Sequence, residues 1–427
     1  GRLVWSEAYG YADLAKNREM QTGTICRVES ISKSVTARGV LKLVEEGVID
    51  LDTPIQNYLV NWNLPASDYP LENITPRMLL SHSSGMPLGT IGEEYPPEAS
   101  IPSLRGNLSR EAIPVKQAPA AFMYSNVGFN ILEALIEETT HRDFSEFMAK
   151  EILMPLGMKN SSFSWKREYK ENLPIGYDLK GKPVTAYVYP AKASGGLFST
   201  VEDIALFVTT GMTESYFNNP GILGRESLHN LYSVEKQDPG IYSIVADAYG
   251  FGHFLETLSN GETAAWHGGQ GHGWMSHFHI FPETGAGIVI LTNSQRSWPL
   301  MARILKQWST WNQVKPVKMS RISYGVDALW ALSVLMILFL FVWLYRFLRD
   351  IRRNKRKFSF LLKNFHLPVF LQFIAGIIII AVLIWCAFQP YLLVTSVFPG
   401  VSSWAGIVFL LFGVILSLTA LFPKIKT

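Results

Sequence analysis

An α+β domain followed by three transmembrane helices is the fold class this sequence predicts, and three observations predict it. Strand-like alternation occurs near the start of the chain and again over residues 242–293, with helix-periodic segments between, as expected of a sheet assembled from both chain ends around a helical insertion. Three long apolar stretches fill the C-terminal part. A Ser-x-x-Lys pair, Ser30 and Lys33, stands where the first helix should begin.

Residues 3–11 alternate and are rich in aromatic and apolar types, which predicts a strand ending near Asp13. Val35, Val40, Leu41 and Val44, followed by Gly47, predict a helix starting at Ser30. Residues 50–59 read as a connection containing Pro54. Thr75 as cap and Pro76 at the first position predict a short helix that closes in the turn Ser81-His82-Ser83-Ser84-Gly85. Loops reach to about Arg110. Ile131, Leu132, Leu135 and Ile136 give residues 127–138 helical spacing, and residues 144–152 begin another helix before Pro155. Past a turn-rich stretch, Ser194-Gly195-Gly196-Leu197 leads into a helix capped by Thr200 with Asp203 at its third position. Strands are predicted over 249–257, 262–267, 274–281 and 287–292. An amphipathic helix over 297–311 closes this part, and residues 314–323 form a short basic linker.

Residues 326–344, 367–388 and 404–421 are each close to the roughly 20 residues that span a hydrocarbon core. Arg346, Arg349, Arg352, Arg353, Lys355, Arg356, Lys357 and Lys363 crowd the connection between the first two, which predicts a cytoplasmic loop. Residues 389–403 carry no Lys or Arg and are expected outside, while Lys424 and Lys426 return to the inside. The expected organisation is an extracytoplasmic domain over 1–313, a linker over 314–325 and a membrane region over 326–427. From Arg321 onward there are 11 basic and 2 acidic residues, leaving 27 and 33 before it, so the outer part carries about −6 and does not invite nucleic acid. Cys26 and Cys386 fall in different regions, so no structural disulfide is expected. An exported domain needs a targeting segment, so a leader, and with it part of the domain, is expected to precede Gly1.

Ser30 and Lys33 project from one face of a helix's first turn, which gives the hydroxyl an amine to take its proton and places it at the positive end of the helix dipole. Ser233 and Lys236 repeat the spacing, so order and company must decide between them. Tyr124-Ser125-Asn126 enters the next long helix, where a phenol can relay a proton and an amide can bind a substrate amide. Burial would lower the lysine pKa and a neighbouring cation would lower that of the phenol, making Lys33 and Tyr124 a coupled pair. Tyr216-Phe217-Asn218 is a second Tyr-x-Asn. His267-Gly268-Gly269 is expected at a strand end, with the imidazole orienting a hydroxyl or anion and the glycines admitting a substrate backbone. His82, His272, His277 and His279 read as packed or solvated. No His-Glu-x-x-His and no Cys/His set with zinc spacing occurs, so neither metal nor cofactor is expected.

With these motifs in this order, the chain resembles the serine β-lactamase and penicillin-binding-protein-like family, in particular the branch of class C β-lactamases and D-alanyl-D-alanine carboxypeptidases. The likeness covers residues 3–311 and includes Glu45-Glu46-Gly47-Val48-Ile49-Asp50-Leu51-Asp52, Leu79-Leu80-Ser81-His82-Ser83-Ser84-Gly85, Pro155-Leu156-Gly157-Met158 and Ser194-Gly195-Gly196-Leu197. It implies an antiparallel sheet flanked by helices, packed against an all-helical lobe, with the site between them. It also implies Ser30 as acylated nucleophile, Lys33 and Tyr124 as proton-handling pair, Asn126, His267 and Gly269 as substrate-binding residues, and the backbone N–H groups of Ser30 and Gln270 as oxyanion hole. His267 stands where class C β-lactamases carry Lys, a replacement familiar from carboxypeptidase, D-aminopeptidase and esterase branches, and it points away from efficient β-lactam hydrolysis. The expected function is a membrane-anchored serine hydrolase acting on a small peptide, ester or β-lactam. A penicillin-binding D-alanyl-D-alanine carboxypeptidase or β-lactamase-like enzyme stands first, an esterase, D-aminopeptidase or penicillin sensor second. Membrane lipid is the other expected partner.

Overall fold

The computed structural model describes residues 2–89, 93–212, 222–359, 366–389 and 393–425. Its contacts divide the chain into two compact units, Gly1–Ser297 with Arg303–Ser320, and Trp298–Ala302 with Arg321–Thr427.

In the first unit, β7 (Lys236–Gln237), β8 (Ala248–Tyr249), β9 (Phe254–Thr257), β10 (Thr263–Gly271), β11 (Trp274–Phe281) and β12 (Ala286–Thr292) form one antiparallel sheet in simple sequence order. Short ribbons precede it: β1 (Tyr11–Asp13) pairs with β2 (Arg18–Glu19), β3 (Cys26–Arg27) with β6 (Phe198–Ser199), and β4 (Gly176–Tyr177) with β5 (Pro183–Val184). Among the described residues, the sheet is therefore not assembled from both chain ends. Among the described residues, pairing in the N-terminal segment begins only at Tyr11, and Val4, Trp5 and Tyr9 are exposed. Alternation marks a segment that could be a strand, but a strand forms only where a neighbour completes its hydrogen bonds.

The 249–257 segment is two strands joined by a tight turn, with Tyr249 opposite Phe254. Gly252, at φ +69, lets this turn press on the first helix: a Cβ there would stand 3.0 Å from the Lys33 carbonyl oxygen, and Ser34 donates to the Gly252 carbonyl at 2.6 Å.

That helix, α1 (Ile31–Glu45), is buried around its whole circumference from Ile31 to Leu41, because it lies between the sheet and the helical lobe. On one side it meets β10 and β11. On the other it meets α4 (Asn126–Thr140), which also carries α2 (Pro76–Leu80), α3 (Leu104–Glu111) and the helix Phe144–Phe147. Thr75 caps α2 as expected, its hydroxyl accepting from Met78 N–H, and Thr200 caps Val201–Thr209 through Asp203 N–H. The segment begun at Phe144 widens into a π-helix over Met148–Leu153.

The second unit contains three helices long and apolar enough to cross a membrane, Lys318–Arg352, Leu367–Ala387 and Val401–Leu421. The first is longer than its apolar stretch because the basic linker and the arginine-rich end continue its hydrogen bonding. The other two pack closely at small residues: a Cβ on Gly376 would stand 2.3 Å from Ser417 Oγ and 2.7 Å from the Gly413 carbonyl oxygen. Gln372 donates to the Leu416 carbonyl (2.9 Å) and the Thr419 hydroxyl (2.7 Å), so its amide is satisfied inside the bundle.

Candidate active site

The turn from β3 into α1 presents Ser30 as the cap residue of α1, with no side-chain cap bond to occupy its hydroxyl. Lys33 follows one turn later. Its amine lies 3.1 Å from Ser30 Oγ and donates to the Ser194 carbonyl at 2.6 Å. Lys33 is fully buried, and that burial brings its pKa down to about 7 against the opposing charge of Glu29. An amine with that value is about half deprotonated at neutral pH, so its lone pair is available to the Ser30 hydroxyl.

Tyr124 hydrogen-bonds Ser30, and the Lys33 amine lies 5.0 Å from its ring centroid. Burial, helped by Tyr242, raises its pKa well above the ordinary phenol value, while the bond to Ser30 opposes the rise. The expected lowering of the Tyr124 pKa by a neighbouring cation therefore does not occur. Lys33 is itself driven toward neutrality, and burial of the phenol outweighs the cation that would have stabilised a phenolate. At neutral pH this Tyr124 can donate a proton, whereas Lys33 can accept one.

The loop that delivers Tyr124 is held by His82. Its backbone is left-handed (φ +56), its carbonyl accepts from Met123 N–H at 2.8 Å, and its Nδ1 accepts from Ser125 N–H at 3.1 Å. The imidazole is buried, 4.4 Å between centroids from the Tyr124 ring, and burial lowers its pKa well below the usual histidine value. Ser125 caps α4 by accepting from Gly128 N–H (2.9 Å) and donates to the Pro87 carbonyl (2.6 Å). Asn126 opens α4, its backbone N–H held by the Leu88 carbonyl at 3.1 Å. Gly85 closes the supporting turn at φ +74, where a Cβ would stand 2.0 Å from the Lys116 carbonyl oxygen.

His267 lies in the middle of β10 rather than at a strand end, because the strand continues through the glycines to Gly271. Its Nδ1 is 2.8 Å from the Gly268 carbonyl oxygen and its Nε2 is 3.5 Å from the Tyr249 hydroxyl. Burial, then the Lys33 charge, hold its pKa well below the usual value, so the ring is neutral at pH 7. β9 pairs with β10 over Thr263 to Trp266. From His267 to Gly269, β10 keeps β11 on one edge and, among the described residues, has no strand on the other. Such an edge offers backbone donors and acceptors to an extended ligand. Gly269 has a packing reason to lack a side chain: a Cβ there would stand 2.3 Å from both Ser276 Oγ and the Val28 carbonyl oxygen.

Ser233 follows the helix Arg225–Leu231 and bonds His229, while Lys236 lies in β7, so that pair does not share a helical turn. Tyr216 and Asn218 lie outside the described residues. Two partners of the site escaped the motif reading. Ser194 was legible only as part of a small-residue stretch. Glu133, buried on α4, looked like one more helical acid, yet it accepts from Lys192 N–H (2.5 Å) and Ala193 N–H (2.7 Å) and so fixes the segment that brings the Ser194 carbonyl to Lys33.

The beta-lactamase family model matches residues 1–307. Protein flp of Staphylococcus aureus (strain NCTC 8325 / PS 47) is 24% identical over 305 residues, covering 69% of this chain and 57% of that protein, so the chain spans little more than half of that relative's length. Among solved structures, the octameric penicillin-binding protein homologue from Pyrococcus abyssi aligns at a TM-score of 0.60 and 26% identity, covering 73% of this chain and 71% of that one. The D-amino acid amidase from Ochrobactrum anthropi SV3, complexed with L-phenylalanine amide, aligns at a TM-score of 0.54 and 26% identity, covering 67% and 81%.

Proposed function

The chain belongs to the beta-lactamase family, and from that premise we propose that it is a membrane-anchored serine hydrolase forming an acyl-enzyme on Ser30 and acting on D-amino-acid peptides of the cell wall. The observation that carries this reading is the buried Lys33 amine, of pKa about 7, lying 3.1 Å from the Ser30 hydroxyl. In the first half-reaction Lys33 takes the hydroxyl proton as Ser30 Oγ bonds to the substrate carbonyl carbon. The backbone N–H groups of Ser30 and Gln270 receive the negative charge on the carbonyl oxygen. Tyr124 passes a proton to the departing amine as the C–N bond breaks, and takes one back from the Lys33 ammonium formed in the attack. Water then attacks the ester carbon under the same groups and restores Ser30. Asn126 binds the substrate amide, and the open edge of β10 at His267 and Gly269 aligns its backbone.

A neutral His267 favours a second reading. A carboxypeptidase benefits from a fixed cation opposite the substrate's terminal carboxylate, and an uncharged imidazole supplies none. Amides or esters without that carboxylate, the substrates of a D-aminopeptidase or esterase, suit this environment as well.

We assign the catalytic domain to residues 1–313 and place it outside the cell, with a linker over 314–325 and a membrane region over 326–427. The basis is the basic connection after the first span. The experiment is intact-mass analysis of the full chain in detergent with a penicillin, a D-Ala-D-Ala peptide and a short-chain ester, followed over time beside labelling by a fluorophosphonate. Ser30→Ala is expected to abolish acylation and labelling in a folded protein, and Ser233→Ala to leave both unchanged. Labelling that survives Ser30→Ala removes Ser30 from this role.

A further inference from the structure

The residue immediately before Ser30 is a glutamate whose backbone is left-handed, at φ +48. That region favours glycine, so a side chain kept there calls for a reason. Glu29 is almost fully buried. Its Oε1 accepts from Arg27 Nε at 2.8 Å and from the Tyr187 hydroxyl at 3.1 Å, and its Oε2 accepts from the Tyr189 hydroxyl at 3.0 Å. Arg27 in turn donates to the Tyr187 carbonyl at 2.7 Å and lies over the rings of Tyr187, Tyr189 and Phe198. The carboxyl also fills the place a side chain on residue 271 would take: a Cβ on Gly271 would stand 2.3 to 2.7 Å from its atoms. Glu29 thus ties the nucleophile turn to β3, to the Tyr187–Tyr189 segment and to β10 together.

We propose that Glu29 is a positioning residue of the acylation site, whose buried carboxylate locks the turn that presents Ser30 and adds a negative charge to the surroundings of the Lys33 amine. This rests on the reading of Ser30 and Lys33 given above. The charged and titratable groups around the pair are Arg27 on β3, Tyr187 and Tyr189 beside it, Glu94 toward Arg27 and Glu29, and His82, His267 and Tyr124 toward Lys33. Among the causes acting on Lys33, burial favours the free amine and Glu29 favours the ammonium, so Glu29 keeps the amine from becoming too weak a base. The sign follows. Removing the Glu29 charge lets Lys33 remain unprotonated to lower pH.

The test measures the pH dependence of fluorophosphonate labelling at Ser30, using the full chain in detergent micelles. The variants are Glu29→Gln and the double variant Arg27→Gln/Glu29→Gln, which removes the buried charge pair together if the single variant leaves Arg27 uncompensated and unfolds. The expected result is an acid limb displaced downward by at least about half a pH unit, with a labelling rate above pH 8 reduced about 10-fold or more by the loosened turn. An acid limb that stays in place or moves upward in the folded variants overturns the proposal. A wild-type chain that is not labelled at Ser30 overturns the reading beneath it, so the two failures are distinguishable.

Discussion

At Lys33 two demands compete: folding favours a neutral side chain in a buried site, while a base strong enough to deprotonate serine must hold its proton well. A value of about 7 lies between them. The rate of acylation should therefore rise with pH through about 7 and level off above it, which a pH series of penicillin or phosphonate acylation measures directly. Tyr124→Phe keeps the ring and removes only the hydroxyl that bonds Ser30, and is expected to slow acylation by about 10² to 10⁴ with little change in ground-state binding. Lys33→Ala should be at least as damaging, and the double variant little worse than the more damaging single one, because the two residues move one proton in sequence. Wild-type acylation by Tyr124→Phe would make Tyr124 a packing residue.

At the scale of elements, the site depends on a strut that runs from α4 through Glu133 to the Lys192–Ala193 backbone and so to the Ser194 carbonyl. Burial raises the Glu133 pKa to about 7, above its unfolded value near 4.5. The stability from its protonated form is then fully present below pH 4.5 and is lost as pH rises through about 7. Glu133→Gln keeps the accepting oxygen and removes the titration. Relative to wild type it should gain stability between pH 5 and 8, by up to about 3 kcal/mol, seen as a thermal midpoint that separates from wild type as pH rises. Parallel midpoints over that range would remove Glu133 from this role. Glu133→Ala lacks the acceptor, leaves two N–H groups without their partner, and should slow labelling of Ser30 by about 10-fold or more while the chain stays folded.

For the whole molecule, the proposed orientation in the membrane rests on the basic residues after the first apolar helix. Among the basic residues after the first span, Arg356 donates to the Phe422 carbonyl at 2.9 Å and faces Asp350, whereas Arg352, Arg353, Lys355 and Lys357 are exposed and available to set topology. In a background with Cys26 and Cys386 replaced by Ser, an impermeant thiol reagent added to intact cells should label Val394→Cys and not Ser359→Cys. Val394 is chosen because it is exposed, whereas its neighbour Ser396 is fully buried and would resist the reagent on either side. The opposite pattern would place the catalytic domain in the cytoplasm.

By itself the sequence determined what depends on neighbours along the chain. Helix periodicity and caps located α1, α2 and α4, the Ser30–Lys33 spacing followed from one helical turn, and the three apolar helices followed from length and composition. Tertiary structure decided what depends on partners far away in sequence. Whether residues 3–11 pair as a strand, whether β10 ends at His267 or runs on to Gly271, and which edge of it stays open are set by neighbouring strands that alternation cannot reveal. The charge states follow the same rule. Lys33, Tyr124, His267 and Glu133 have ordinary pKa values as isolated residues, and each is displaced because other segments exclude water from it. Burial is a property of the packed molecule, so the chemistry of Lys33, Tyr124 and His267 could be named from the sequence, whereas only the fold could tune it and bring Glu133 into the site.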